Sequence, residues 1–211
     1  RGTAARLGIR LRPRGMRSLS IPVPALMGGG VALRPWRVDD VDHLVSAWKD
    51  PEVLRWTPVP DDAGPEKAAT WIAGASHRLE TAAALDLVVV DGGGTAVGEV
   101  GISDLDHDQG VAMIGWWTAA HARGLGVATQ AVGLLVGWAL GPPLDLAAIL
   151  ARIHPDNEGS LAVAQAAGFR TLATPDNRDV VMVAANPQWP GPTGVDREVL
   201  FEGEHKATRS G

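Results

Sequence analysis

Cysteine and tyrosine are both absent from the 211 residues. Without cysteine there is no disulfide, no thiolate nucleophile and no sulfur-ligated metal, and the redox compartment leaves no trace in the sequence. Without tyrosine there is no phenol to move a proton. No apolar run approaches the ~20 residues of a membrane span, so a cytoplasmic location with no membrane partner is expected. The histidines at 43, 77, 107, 121, 154 and 205 show no paired ligand spacing, and no metal is expected. With 45% hydrophobic residues the chain can bury one good core.

Positive charge gathers at the start of the chain. Residues 1 to 17 carry six arginines and no acid; taking those six from the net charge of −5 leaves −11 on the remainder. A body so acidic repels nucleic acid, and none is expected as a partner. The expected organisation is a flexible basic N-terminal extension over 1–29, one domain over 30–203 and a tail over 204–211. Met16 stands as a candidate natural start.

The strongest positive signal is a glycine-bearing run, Arg123-Gly124-Leu125-Gly126-Val127-Ala128-Thr129. It lies between a β-rich segment, Val111 to Thr118, and a helical pattern in which Val127, Ala131, Leu134, Leu135 and Trp138 share a face until Gly141-Pro142-Pro143 ends it. Glycines let backbone approach a ligand where a Cβ would collide, and a helix start offers unpaired N–H groups and a positive dipole end. The run therefore reads either as a diphosphate cradle or as a tight turn into a small-residue helix. Gly115 within the β segment suggests a bulge or a close backbone approach.

Elsewhere the pattern predicts a strand near 31–34, helices at about 39–49 and 65–82 with a helical turn at about 51–56 between them, and strands at 85–90 and 96–103 joined by a hairpin through Asp91 to Gly94. A strand follows at 146–153, parallel to 111–118 because a helix connects them. Then come a short helix stopped by Gly168, a further strand and, after a Pro/Gly-rich loop, a closing strand at 197–201.

Two motifs together carry a family resemblance. Arg123 to Ala128 resembles the Arg/Gln-x-x-Gly-x-Gly/Ala signature of the GNAT family of N-acetyltransferases, and Asn157-Glu158-Gly159-Ser160 with Ala167-Gly168-Phe169 resembles that family's second motif. Val31 to Asp40, Asp50 to Val53 and Gly98 to Gly101 extend the likeness across residues 30 to 203. Gly115-Trp116-Trp117 gives it the flavour of the ribosomal-protein N-terminal acetyltransferase branch. The resemblance implies an α+β GNAT fold: a mostly antiparallel central sheet, flanked by helices, in which one parallel strand pair splays apart to admit the cofactor's pantetheine arm.

It also implies a chemistry. Acetyl-coenzyme A would be the co-substrate, with its diphosphate on the N–H groups of Leu125 to Thr129 and its pantetheine on backbone groups of Trp117 and Thr118. Gly124 and Gly126 permit that approach. Arg123 either adds charge to this site or pairs with a nearby acid. Asn157 either orients the cofactor or caps the helix that follows. The two tryptophans are expected to pack on opposite faces.

The acceptor would be a primary amine, and it must be neutral to attack. An α-amine of pKa near 8 is about a tenth neutral at pH 7, and a lysine near 10.4 is neutral in about one molecule in 2,500. Glu99 is the candidate base, against the alternative of a solvent-facing strand glutamate. Many family members are thought to protonate the departing thiolate with a tyrosine; here Ser160 is the nearest substitute, or only a helix-start hydrogen bonder. Asp104, Asp106 and Asp108 either attract the amine or form a solvated loop. The leading reading is acetylation of a peptide or protein N-terminal α-amine. The alternatives are a small-molecule amine, such as an aminoglycoside or amino acid, or a silent acyl-coenzyme A sensor. A homodimer stays open.

Overall fold

The computed structural model describes residues 19–173 and 179–189. Eight strands form one sheet in the order β1-β2-β3-β4-β5-β6-β8-β7. They are β1 (Leu26–Gly28), β2 (Val31–Pro35), β3 (Ala84–Asp91), β4 (Ala96–Asp106), β5 (Val111–Thr118), β6 (Ala148–Ile153), β7 (Arg170–Ala173) and β8 (Val180–Ala185). All neighbours are antiparallel except β5 and β6. The helices are α1 (Val41–Trp48), α2 (Pro51–Trp56), α3 (Pro65–Ala73), α4 (Ala75–Glu80), α5 (Val127–Leu140) and α6 (Glu158–Ala166).

Alternation along the strands sends side chains to two different layers. On one face Leu33, Leu85, Leu87, Val100, Ile102 and Ile114 meet Val132 and Leu135 of α5 and Ala164 of α6 in the main core. On the other, Val88, Val90 and Trp117 meet Trp36, Leu44, Trp48 and Ile72 beneath α1 and α3. Trp36 lies edge-on to Trp71 at 5.9 Å between ring centres and tilted against Trp117 at 6.2 Å, so aromatic packing stiffens this second layer. Trp116 packs into the first layer and Trp117 into the second, the opposite-face arrangement read from the sequence.

The β3–β4 hairpin turns where expected. The Asp91 carboxylate accepts from the N–H groups of Gly93 and Thr95, both at 2.9 Å. At the start of the second layer, Arg34 grips Asp40 with two hydrogen bonds of 2.7 and 2.9 Å, and the Arg37 N–H adds a third at 2.8 Å. Burial pushes the Asp40 carboxyl upward, but these three donors outweigh it and hold the group below its ordinary value.

Several expectations shift. The helix at 65–82 is two helices broken at Gly74, where an added Cβ would lie 3.0 Å from Nη1 of Arg78, so the absent side chain leaves room for that guanidinium. The expected N-terminal extension already holds structure, since β1 pairs with β2 and Leu19 is buried in the core. No bulge occurs at Gly115, because β4 and β5 stay in register from Gly98↔Thr118 to Ser103↔Met113. The sheet runs through β8, Val180–Ala185, a strand absent from the sequence reading. The closing strand expected at 197–201 lies outside the described residues. No helix among the described residues is long and apolar enough to cross a membrane.

Candidate active site

The parallel contact between β5 and β6 is brief. Val111, Ala112 and Met113 pair with Ala148, Ile149 and Leu150, and nothing beyond them does. From Ile114 onward β5 has lost its neighbour on that side, so backbone groups there are left for another partner. The two strands open like a V, and a cleft of about 1360 Å³ fills the gap and runs on to the first turn of α5.

That turn is shaped by two glycines. Gly124 and Gly126 have φ of 74° and 79°, the left-handed region that glycine adopts without cost. An added Cβ at either would meet no protein atom within 4 Å, so the fold does not use the space in front of them. No side chain caps α5, and its first turn holds no acid. The first helical bond is donated by Gln130 to Gly126 at 3.0 Å, which leaves the N–H groups of Val127, Ala128 and Thr129 without helical acceptors at the cleft wall. An anion is the natural complement.

Of the residues singled out from the sequence, Glu99, Trp117, Thr118, Arg123, Gly124, Gly126, Val127, Ala128, Thr129, Asn157 and Ser160 all line this one cleft. Leu125 does not; its side chain is 74% exposed at the tip of the turn. Asp104, Asp106 and Asp108 also stay outside, and Asp106 closes its own loop by accepting from the Gln109 N–H at 2.8 Å.

Glu99 sits on β4, in the face of the sheet that meets α1 and α3. Its Oε2 is fully buried with no hydrogen-bond partner among the described residues. Burial pushes its pKa up to about 8, and the Asp86 carboxylate adds to the rise. The Trp36 indole, near enough to lower it but not in hydrogen-bond geometry, and the Arg78 guanidinium pull the other way. Asp86 itself is held by Arg78 at 2.7 Å, so its charge is already matched. The solvent-facing alternative for Glu99 is therefore displaced: this is a carboxyl of raised pKa at the bottom of a cleft.

Arg123 resolves toward an acid. Its Nη2 lies 2.6 Å from Oδ1 of Asp50, and its Nε donates to the Thr118 carbonyl at 3.0 Å. The same Asp50 oxygen accepts from the Glu52 and Val53 N–H groups as the cap of α2. Arg123 thus ties the end of β5 to the start of α2 and holds the Asp50 carboxyl below its ordinary value, a contribution to stability present above the unfolded pKa and lost as pH falls through the lowered one. Asn is as good a cap as Asp, which separates the two roles. Asp50→Asn is expected to cost under about 1 kcal/mol, the scale of a partly exposed pair, and Asp50→Ala a further 0.5–2 or so for the lost cap; urea denaturation at pH 7 measures both.

Asn157 caps α6, its Oδ1 accepting from the Ser160 N–H at 3.0 Å, while its side-chain NH2 keeps its donors. Three contributors to the cleft went unseen in the sequence. Trp56 of α2 lies against His154, just after β6, with 5.2 Å between ring centres and the rings tilted by 39°, and both line the cleft. Arg152 joins them on the same bank. Their only signal was proximity in space, which spacing along the chain does not encode. Among the described residues no group of three or more His, Asp or Glu side chains could hold a metal ion.

Comparison with known proteins agrees with this geometry. Residues 31–170 match the model of the acetyltransferase (GNAT) domain. The chain belongs to the GNAT acetyltransferase family. A curated relative, the uncharacterized N-acetyltransferase p20 of Bacillus licheniformis, is 28% identical over 143 residues, 66% of this chain and 79% of that one. Two solved structures share the fold at low identity. Mycobacterium smegmatis RimJ in complex with CoA-disulfide superposes with a TM-score of 0.67 at 22% identity, covering 77% of this chain and 85% of that chain. The ribosomal-protein-S5-alanine acetyltransferase of Vibrio fischeri gives 0.66 at 18% identity, covering 78% and 98%.

Proposed function

We propose that the protein transfers the acetyl group of acetyl-coenzyme A to a primary amine by direct attack in a ternary complex, with a peptide or protein N-terminal α-amine as the leading acceptor. One observation carries the reading: a single cleft joins an anion-ready helix start, a splayed strand edge and a buried carboxyl of raised pKa. The diphosphate complements the N–H groups from Leu125 to Thr129, and the pantetheine arm complements the open edge of β5 at Trp117 and Thr118. RimJ, one of the similar structures, holds a coenzyme A species.

The amine nitrogen attacks the thioester carbon, the C–N bond forms and the C–S bond breaks. Glu99 takes the proton lost by nitrogen, directly or through a water. An unpaired β5 N–H beside the splay steadies the oxyanion. Ser160, which lines the cleft and whose N–H is committed to Asn157, supplies a proton to the thiolate through its hydroxyl. A thiolate of pKa near 8.5 needs little help near neutrality, so Ser160→Ala is expected to leave coenzyme A affinity within a few-fold and to slow transfer roughly tenfold to a hundredfold. Single-turnover kinetics and calorimetry read the two quantities. Full retained activity removes Ser160 from the reaction.

Thiol release from acetyl-coenzyme A, followed with a panel of peptide N-termini, lysine, amino acids and aminoglycosides, tests the whole reading. Turnover on the peptides supports it. Turnover confined to the small amines moves the acceptor class, and tight coenzyme A binding with no transfer to any amine makes the chain a sensor.

A further inference from the structure

Four glycines stand in the described strands, and for three of them the fold itself explains the missing side chain. An added Cβ would lie 3.2 Å from Leu134 at Gly28, 2.6 Å from the Trp117 carbonyl oxygen at Gly98 and 3.0 Å from the Leu85 carbonyl oxygen at Gly101. Gly115 is different. Its φ is not in the positive region, and an added Cβ would meet no described atom within 4 Å. Neither backbone nor packing requires glycine there, and glycine weakens a strand.

Its position gives the space a meaning. Register pairs Glu99 with Trp117, Gly101 with Gly115 and Ser103 with Met113, all on the face that carries α1 and α3. Between the Glu99–Trp117 and Ser103–Met113 pairs, about 13 Å apart at strand spacing, Gly101 and Gly115 give the sheet a floor of backbone, open at Gly115 and edged at Gly101 by Asp86, whose Oδ1 lies 3.5 Å from where a Cβ would stand. Asp86, opposite Gly101 on β3, borders it and is neutralised by Arg78. The floor belongs to the cleft and is exposed at Gly115.

We propose that the Gly101–Gly115 floor is the subsite for the substituent on the carbon that bears the acceptor amine, and that Gly115 sets its size. The inference rests on the acetyl-transfer reading with Glu99 beside the amine. A nitrogen held at Glu99 places its carbon next to this floor, and the open space at Gly115 accepts a branched carbon, as in a peptide whose first residue is large. An unbranched amine leaves it empty. The acceptor class is therefore an α-amine on a substituted carbon, and Gly115 acts as a specificity-determining residue.

The test uses the full chain, acetyl-coenzyme A and two peptides identical except for glycine or leucine at the first position. The Cβ of Gly115→Ala meets no described atom within 4 Å, and thermal melts confirm that it and Gly115→Val fold. In Gly115→Val the kcat/KM for the leucine peptide is expected to fall at least ~10-fold further than for the glycine peptide, the scale on which a methyl group in a filled pocket discriminates, with Gly115→Ala between and coenzyme A affinity within about twofold of the parent, well below that discrimination. Equal losses on both peptides, losses matched by weaker coenzyme A binding, or no loss on either would overturn the subsite while leaving acetyl transfer standing. A parent that transfers to neither peptide overturns the peptide reading and this inference with it.

Discussion

Glu99→Gln is expected to slow acetyl transfer by about 10²- to 10⁴-fold at pH 7, the usual reach of a general base. The carboxyl ionises only as pH rises through about 8, so the parent kcat/KM climbs across that value and the variant lacks the step. An α-amine titrates in the same region. The profile is therefore best read as the ratio of parent to variant on one peptide, because the titration of the amine is common to both and cancels. Superimposable profiles would assign the proton to solvent or to another group.

The same substitution has a stability signature that needs no acceptor. The folded carboxyl is raised from 4.5 to about 8. As pH rises above 4.5 the unfolded chain ionises Glu99 while the folded one keeps its proton, so stability is lost across that window and the loss is complete above about 8. Gln stays neutral throughout and so escapes this loss. Glu99→Gln is expected to melt above the parent at pH 8 to 9 and to converge with it near pH 4, each kcal/mol recovered being worth about 2–4 °C in a chain of this size. A base kept ready at the expense of stability behaves this way; a surface glutamate shows no difference.

What the sequence made legible is local. Gly124 and Gly126 announce a turn with their own residues, the Asp91 to Gly94 hairpin does the same, and a helix between two apolar strands dictates that β5 and β6 run parallel. The properties of the site come from distance instead. Asp50 and Arg123 are 73 residues apart, and neither position marks the other. Glu99 owes its raised pKa to burial beneath the second layer and to Asp86, opposed by Trp36 and Arg78, all of them brought in from other elements. Strand β8 was missed for a related reason. Val180 to Ala184 are buried as a continuous run, and such a run carries no alternation to read. At Gly115 the sequence showed an interrupted strand and suggested a bulge; the register is unbroken, and the glycine instead leaves space in front of the sheet.

Gly126→Val is expected to weaken coenzyme A binding by roughly ten- to a hundredfold, the loss of one charge-assisted hydrogen bond at about 1.5–3 kcal/mol. Two causes lead there. With φ at 79°, a β-branched residue strains the turn, and a relaxed turn swings the N–H groups of α5 away from the anion. The side chain also enters the space that no protein atom occupies in front of Gly126. Gly126→Asn tells them apart, because asparagine tolerates the left-handed region and so keeps the turn while still adding bulk. If both variants lose affinity by calorimetry, the space belongs to the ligand. If only valine does, the glycine serves the geometry of the helix start. If neither does, the turn is no phosphate cradle, and the diphosphate must be held elsewhere along the cleft.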